Sequence, residues 1–340
     1  MKVAYLAPES AIAGGQRVIF QQAEGLAKTG ETVSVVSPSP RPDWFRLEAA
    51  GWEESEFDRS RVLAEADVRV ATFWTTVAPA VAGARVPVYH LCQGYEADLS
   101  FYAALSDEIR AAYRAPTRKL AVAPHVAERL VEEGYGPVVL VGQTFDAREF
   151  PPARDRRFDA ATPTILLVGT YEADVKGIRE TLEALSALRS TGARFRLRRI
   201  STTAPAAEEI ALGLADSHDR NLKPADMAAA YRSADLLIGP CHPEEGFGLP
   251  VLEALSTGLP VLLSDTPGHR DIAREAAEYF ACGDAASLAS ALARLLPGAS
   301  RRRELSGRGP LEASRFRTAN VVDRLVEEFS AALSRSATVS

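Results

Sequence analysis

The feature that most limits what this chain can fold into is a repeated change of period. Short apolar runs rich in β-branched residues alternate with stretches whose apolar residues recur every three or four positions. "KVAYLA" is followed, after a loop, by "RVIFQQAEGLAKTG", in which Ile19, Ala23, Leu26 and Ala27 keep helical spacing and Gly30 supplies the stop. "TVSVVS" returns to a strand pattern, and "VRVATF", "VPVYHL", "KLAVA" and "PVVLVG" continue it, with "HVAERLVEEG" as a helix between the last two. Strands interleaved with helices predict βαβ units and a mainly parallel sheet.

The order restarts behind residues 150–164, whose prolines and charges read as a linker. "TILLVG", a helix from Gly177 with Ile178, Leu182, Leu185 and Leu188 on one face, "RFRLRRI", "DLLIG" and "LPVLLSD" then predict a second doubly wound domain. The closing "ANVVDRLVEEFSAALSRS" places Val322, Leu325, Val326, Phe329 and Leu333 on one stripe, an amphipathic helix whose partner the sequence does not name. A length of 340 residues suits two such domains, because single cores usually stop growing near ~250 residues.

Charge and cysteine usage narrow the function classes. The net charge is -6, and the first 150 residues carry 15 Lys/Arg against 20 Asp/Glu, so no basic lobe for nucleic acid is expected. The same count disfavours an anionic membrane surface but leaves a local peripheral contact open. There is no apolar run of ~18 residues to span a membrane and no secretory h-region at the start. Cys92, Cys241 and Cys282 lack metal-ligand or disulfide spacing and read as buried small residues of a reducing, cytoplasmic compartment.

Open α/β sheets bind ligands beyond the carboxyl ends of their strands, so the loops there carry the functional expectation. Gly14 and Gly15 stand directly before a helix. They fit either a plain tight turn or a close approach of backbone to phosphate, whose charge a helix N-terminus favours. Lys176, in "VGTYEADVKG", stands at a helix start, where its charge is unfavourable unless an anion lies between; a solvated loop lysine is the other reading. In "EEGFGLPVLEALSTG", Pro250 suits the first helical position, and Glu253 is expected in the first turn. Glu245, held among glycines, gains little from the helix dipole. Two acids about such a loop can accept hydrogen bonds from separate sets of hydroxyls on either side of a diphosphate.

"EGFGLPVLEALSTGLPVL" resembles the E-x7-E signature of the retaining glycosyltransferases of family 4. The likeness extends through the Gly14-Gly15 loop, "LAVAPHVAERLVEEG", "VGQTFDAREF", "VGTYEADVKG" and "MAAAYRSADLLIGP". It implies a GT-B fold: two Rossmann-like doubly wound domains facing across a cleft, residues 1–155 on the acceptor side and 156–318 on the nucleotide-sugar side. The helix of residues 319–340 would cross back onto the first domain.

Carried over residue by residue, the resemblance gives Glu253 the ribose hydroxyls and Glu245 those of the transferred sugar. It gives Gly246, Phe247, Gly248 and Leu249 the sugar and phosphate. Gly14 and Gly15 would admit the diphosphate, and Lys176 would neutralise it as it leaves. No metal or cofactor is implied. The arginine the family commonly carries after its VG pair is Thr170 here, and Arg17 is a candidate substitute. His90 lies inside a strand and reads as a core histidine; Gln93, Tyr95 and Glu96 follow the strand end and are acceptor-side candidates, though aromatic residues in these loops fit a core equally. The expected activity is retaining transfer of a hexosyl unit from a nucleotide diphosphate sugar to an acceptor hydroxyl. A non-catalytic nucleotide-sugar-binding partner subunit and an epimerase of the same fold are the rivals. Base, sugar and acceptor are not legible.

Overall fold

The computed structural model describes residues 1–337; residues 338–340, the end of the segment assigned to the closing helix, lie outside the described residues. Contacts divide the chain into two units, Met1–Phe145 with Phe316–Ser340, and Asp146–Arg315.

The first unit contains β1 (Lys2–Leu6), α1 (Gly14–Ala27), β2 (Thr32–Ser37), β3 (Gly51–Glu54), α2 (Arg61–Glu65), β4 (Val68–Ala71), α3 (Trp74–Val81) and β5 (Val88–Cys92). It continues with α4 (Ser106–Arg114), β6 (Arg118–Ala121), α5 (Pro124–Glu132) and β7 (Val138–Leu140). Its sheet is parallel throughout, in the order β3-β2-β1-β4-β5-β6-β7. Ala4, Leu6, Val36, Ala71 and Val77 form part of its core. The last helix of the chain, Thr318–Ala337, packs on α1 of this unit. Gly25 makes that approach possible, since a Cβ there would stand 2.6 Å from Val322 Cγ2. Tyr89 completes the seat: its hydroxyl donates to Glu328 Oε1 at 3.0 Å, and Arg118 Nε reaches the same oxygen at 2.8 Å.

The second unit contains β8 (Thr164–Val168), α6 (Ile178–Ser190), β9 (Arg196–Ser201), α7 (Ala207–Leu212), β10 (Ser217–Arg220), α8 (Pro224–Ser233) and β11 (Leu236–Gly239). After these come α9 (Leu249–Ser256), β12 (Val261–Ser264), α10 (Pro267–Ala273), β13 (Ala277–Phe280), α11 (Ala285–Leu295) and α12 (Ala299–Ala313). The closing helix Thr318–Ala337 is therefore α13. The second sheet is again fully parallel, in the order β10-β9-β8-β11-β12-β13. Its core runs from Ile165 and Leu167 through Leu182, Leu185, Ile238 and Leu262 to Leu292. In each sheet the order reverses beside the unit's first strand, at β1/β4 and β8/β11. The loops leaving those strand pairs diverge and open a crevice at their carboxyl ends.

Residues 150–164 do not hang free as a linker would. Phe150 is fully buried, its carbonyl accepts from Ser256 Oγ at 2.8 Å, and the Ala153 amide donates to Thr257 O at 3.0 Å. The Arg156 guanidinium donates to the carbonyls of Tyr231, Ala234 and Thr257. One arginine thus gathers the carbonyls at the ends of α8 and α9 and binds the segment to the second unit. The cysteines are all free thiols, Cys92 and Cys241 buried, but Cys282 is only half-buried, contrary to expectation.

His90 is a core residue as its strand position implied. It is fully buried, its ring 4.6 Å from that of Tyr113 on α4, and neither ring nitrogen has a hydrogen-bond partner among the described residues. Burial first, and then the Lys119 ammonium on neighbouring β6, push its pKa down to about 3. The unfolded chain should titrate near 6.5. The contribution to stability is therefore whole above pH 6.5 and is lost as pH falls from there toward 3. The expected result is a loss of about 2 kcal/mol between pH 6.5 and 5 from this group, at roughly 1.4 kcal/mol per pH unit. Urea unfolding midpoints across that range should fall less steeply in His90→Leu; an unchanged slope would show that other groups control the acid limb.

Candidate functional site

Two loops leave the switch strands of the second unit. The β8 loop runs through Gly169 and Thr170 to a 3-10 turn, Asp174–Lys176, and enters α6 through Gly177. Gly177 has φ +59°, which other residues adopt at a cost, and a Cβ there would stand 3.2 Å from Pro240. The β11 loop runs from Pro240 to Gly248 and enters α9. The His242 amide donates to Val175 O at 2.8 Å, which ties the two loops together. Where they meet, Lys176 Nζ lies 2.6 Å from Glu245 Oε1. Lys176 thus sits in the turn ahead of α6 rather than in the helix, and the anion beside it is the Glu245 carboxylate, 69 residues away in the chain. Lys176 is 37% exposed and Glu245 18%. The pair is wet enough to open toward a ligand.

The start of α9 differs from the expectation. Leu249 is the first helical residue and Pro250 the second, so Glu253 falls in the second turn, beyond the first-turn amides. Gly248 precedes the helix with φ −56° and ψ 67°, and its carbonyl accepts from the Val251 amide at 2.9 Å. Glu253 is only 6% exposed and accepts from the Tyr231 hydroxyl at 2.8 Å. A buried carboxylate held by a phenol is a fixed acceptor, not a helix-end decoration. Of the residues between the acids, Phe247 is buried while Gly246, Gly248 and Leu249 are half-exposed.

A cavity of about 60 Å³ is lined by Gly169, Lys176, Gly239, Cys241, Glu245, Gly248 and His269, among others. Sequence reasoning missed its floor. His269 Nδ1 lies 2.9 Å from Ser264 O, Cys241 Sγ lies 3.5 Å from Nε2, and burial raises the Cys241 thiol to about 11, so it stays protonated at neutral pH. A larger depression, about 810 Å³, lies at the amino ends of β5 to β7 in the first unit, away from the carboxyl edge where such folds bind ligands.

Beside Thr170 lies a second residue that the sequence reading missed. Thr170 Oγ1 lies 3.2 Å from Thr202 Oγ1, so no cation occupies that place. One strand over, Arg199 is fully buried in register with Leu167. It donates from Nη1 to Leu167 O at 2.7 Å and from Nη2 to Gly169 O at 2.9 Å, and its Nε lies 2.6 Å from Glu209 Oε1. An arginine with five donors in a fixed fork can hold two carbonyls and a carboxylate at once. The sequence signal was the alternation of Phe195, Leu197 and Arg199 in "RFRLRRI", which puts Arg199 on the same side of the strand as two core residues.

In the first unit, Gly14 and Gly15 are the first two residues of α1, not a loop ahead of it, with Ala13 as the extended cap. Their amides belong to the first turn, which no carbonyl of the same helix can satisfy. Gln93 donates from Nε2 to Gly15 O at 3.1 Å. Arg17, in the same turn, is 7% exposed. Tyr95 is a core side chain: it is 4% exposed, and its hydroxyl lies 2.9 Å from that of Tyr135. Glu96 is half-buried and accepts from the Tyr113 hydroxyl; burial raises its carboxyl to about 6. Among the described residues no helix is long and apolar enough to cross a membrane.

Residues 162–297 match the family of Glycosyl transferases group 1. Phosphatidyl-myo-inositol mannosyltransferase of Mycobacterium leprae is 33% identical over 138 residues, 39% of this chain and 37% of that protein. D-inositol 3-phosphate glycosyltransferase of Nocardia farcinica is 35% identical over 112 residues, 32% of this chain and 25% of that protein. The chain therefore spans well under half the length of these relatives. Among solved structures, sucrose-phosphate synthase from Thermosynechococcus elongatus superposes with a TM-score of 0.77 at 17% identity, covering 98% of this chain and 99% of that one. Anabaena Alr3699/HepE in complex with UDP-glucose gives 0.77 at 14%, covering 97% and 100%. The chain is a GT-B protein whose second unit, over residues 162–297, matches the Glycosyl transferases group 1 family.

Proposed function

We propose that this chain is a retaining glycosyltransferase that moves a hexosyl unit from a nucleotide diphosphate sugar to an acceptor hydroxyl without a metal ion. The observation that carries the reading is the 2.6 Å Lys176–Glu245 pair at the switch point of the second sheet. Its cation can transfer from the carboxylate to an incoming diphosphate, and the released Glu245 can then accept from sugar hydroxyls. Lys176 and the first-turn amides of α9 stabilise the charge that develops on the leaving phosphate. The leaving phosphate oxygen takes the acceptor proton, so no protein nucleophile is needed. Glu253, fixed by Tyr231, accepts from the ribose hydroxyls. The relatives whose names include mannosyl or glycosyl transfer, and the neighbour bound to UDP-glucose, agree with this donor class.

The test is a thermal-shift titration with nucleotides and nucleotide sugars, followed by the anomeric configuration of the product by NMR. Stabilisation should rise with the logarithm of ligand concentration above Kd. Glu253→Ala should abolish the shift by free nucleotide, and Tyr231→Phe should weaken it. Glu245→Ala should keep that shift and lose transfer. The reading fails if no nucleotide or nucleotide sugar moves the transition, and retention fails if the product is inverted.

A further inference from the structure

The depression at the amino ends of β5, β6 and β7 lies at the edge of the first sheet opposite its switch-point loops. Its volume of about 810 Å³ is within the range of roughly 300–1,000 Å³ usual for small-molecule sites. The segments entering the three strands bring Val86, Pro87, Pro116 and Pro137 to it, and α3 and α13 bring Val81 and Ala332. Prolines at all three strand entrances remove amide donors there, so that wall is apolar.

Among the described residues, the charged side chains lining this depression are both cations, Arg118 and Arg335. Both reach Glu328 on α13, Arg118 Nε at 2.8 Å and Arg335 Nη2 at 3.5 Å. Glu328, Ala332 and Arg335 follow at spacings of four and three and share one face of that helix. A guanidinium has five N–H donors in a planar fork, and Arg118, 30% exposed, commits Nε to Glu328; among the described residues no acceptor meets its terminal nitrogens. Thr117 supplies a further donor. It is 4% exposed, and its Oγ1 accepts from Lys119 Nζ, an ammonium that is itself 1% exposed and meets no carboxylate among the described residues. Since an ammonium can only donate, the Thr117 oxygen is the acceptor and its own O–H proton is available to another group. The acids at the nearby end of α5 are engaged: Glu133 meets Arg110 at 2.8 Å and Arg129 at 2.7 Å, and Glu132 lies 3.9 Å from Arg129.

We propose that this depression is a second ligand site, one that takes a single-chain amphiphile with an anionic oxyacid head, a carboxylate or a phosphate monoester. The head accepts from the terminal nitrogens of Arg118 and from the Thr117 hydroxyl, and the Lys119 ammonium behind that hydroxyl adds to the field. The chain lies along the proline and valine wall, where each buried methylene adds to affinity. A neutral chain of the same length forfeits the contacts to the guanidinium fork, and an alkylammonium meets like charge. Glu328 competes with the head for Arg118, so occupancy of the site is coupled to the seat of α13. The site lies at the amino edge of the sheet and is independent of the transferase reading.

Titration calorimetry on the full chain tests this, with every probe held below its micelle-forming concentration. Decanoate and decyl phosphate are the anionic probes. Decyl glucoside and decyltrimethylammonium are contrasts with the same chain, and acetate and inorganic phosphate are heads without one. At least one of the two decyl-chain anions should bind saturably, and about tenfold or more tighter than decyl glucoside, a difference of about 1.4 kcal/mol. Arg118→Gln should weaken that binding about tenfold, whereas Glu328→Gln, which removes the competing carboxylate, should tighten it about threefold or more. A gain in affinity separates loss of competition from loss of fold. The nucleotide-induced thermal shift should be the same in both variants, which separates this site from the donor site. The proposal is overturned if neither anion binds the wild type, or if decyl glucoside, decyltrimethylammonium, acetate or inorganic phosphate binds as tightly as the better anion. Affinity that is unchanged in both variants overturns it as well.

Discussion

Lys176→Ala is expected to lower kcat for sugar transfer by about 10²- to 10³-fold, the usual consequence of removing one pre-placed group that stabilises developing charge. Its melting temperature should change by no more than a few degrees. The two expectations diverge because the ion pair with Glu245 is partly exposed, and such pairs contribute about 0–1 kcal/mol to folding. In the proposed reaction, by contrast, negative charge would develop on the leaving phosphate within reach of the Lys176 ammonium. Lys176→Arg should recover part of the rate, since the charge is kept while its geometry is not. Steady-state kinetics with the donor identified by thermal shift would decide the matter. A kcat within threefold of wild type in Lys176→Ala would remove this lysine from the chemistry.

Arg199→Met should have the largest effect on stability, about 3–5 kcal/mol, because it leaves the Glu209 carboxylate buried without its partner. For a unit of this size that corresponds to a fall in Tm of about 10 °C. Arg199 also holds the carbonyls of Leu167 and Gly169, so the variant frees the loop that carries Thr170 and Lys176. The double variant Arg199→Met/Glu209→Leu should regain most of the stability, since apolar replacements of a buried pair are often neutral or better. It should not regain kcat. Calorimetry and kinetics on the three proteins separate the roles: if the double variant recovers both, Arg199 supports the fold alone and does not position the loop.

Most of the strands that were legible were buried ones, the edge strand β7 in "PVVLVG" being an exception. "KVAYLA", "TILLVG", "DLLIG" and "LPVLLSD" are covered on both faces by helices, and such strands read as continuous apolar runs. The edge strands "GWEE", "SHDR" and "AEYF" were not recognised, because a strand at a sheet's border is half-wet and short and carries little apolar signal. The phase of α9 was misjudged by one residue. Proline is tolerated throughout the first turn, so Pro250 by itself did not fix which residue begins the helix.

The candidate site divides in the same way. Glu245, Lys176 and the glycines after Glu245 were legible as candidates because loops after strands in a doubly wound unit must lie at one edge, and Glu253 because the resemblance pairs it with Glu245. Their partners were not. The contact of Lys176 with Glu245 requires β8 and β11 to be neighbours, and Tyr231 meets Glu253 only because α8 lies beside α9. Arg199 reaches the β8 loop only because β9 is its other neighbour. The period of the sequence by itself determined two parallel α/β units and the loops that carry charge, since periodicity records which face of each element is buried. Only the tertiary structure decided which charges meet, because strand order is set by crossovers between segments tens of residues apart, and no local pattern encodes it.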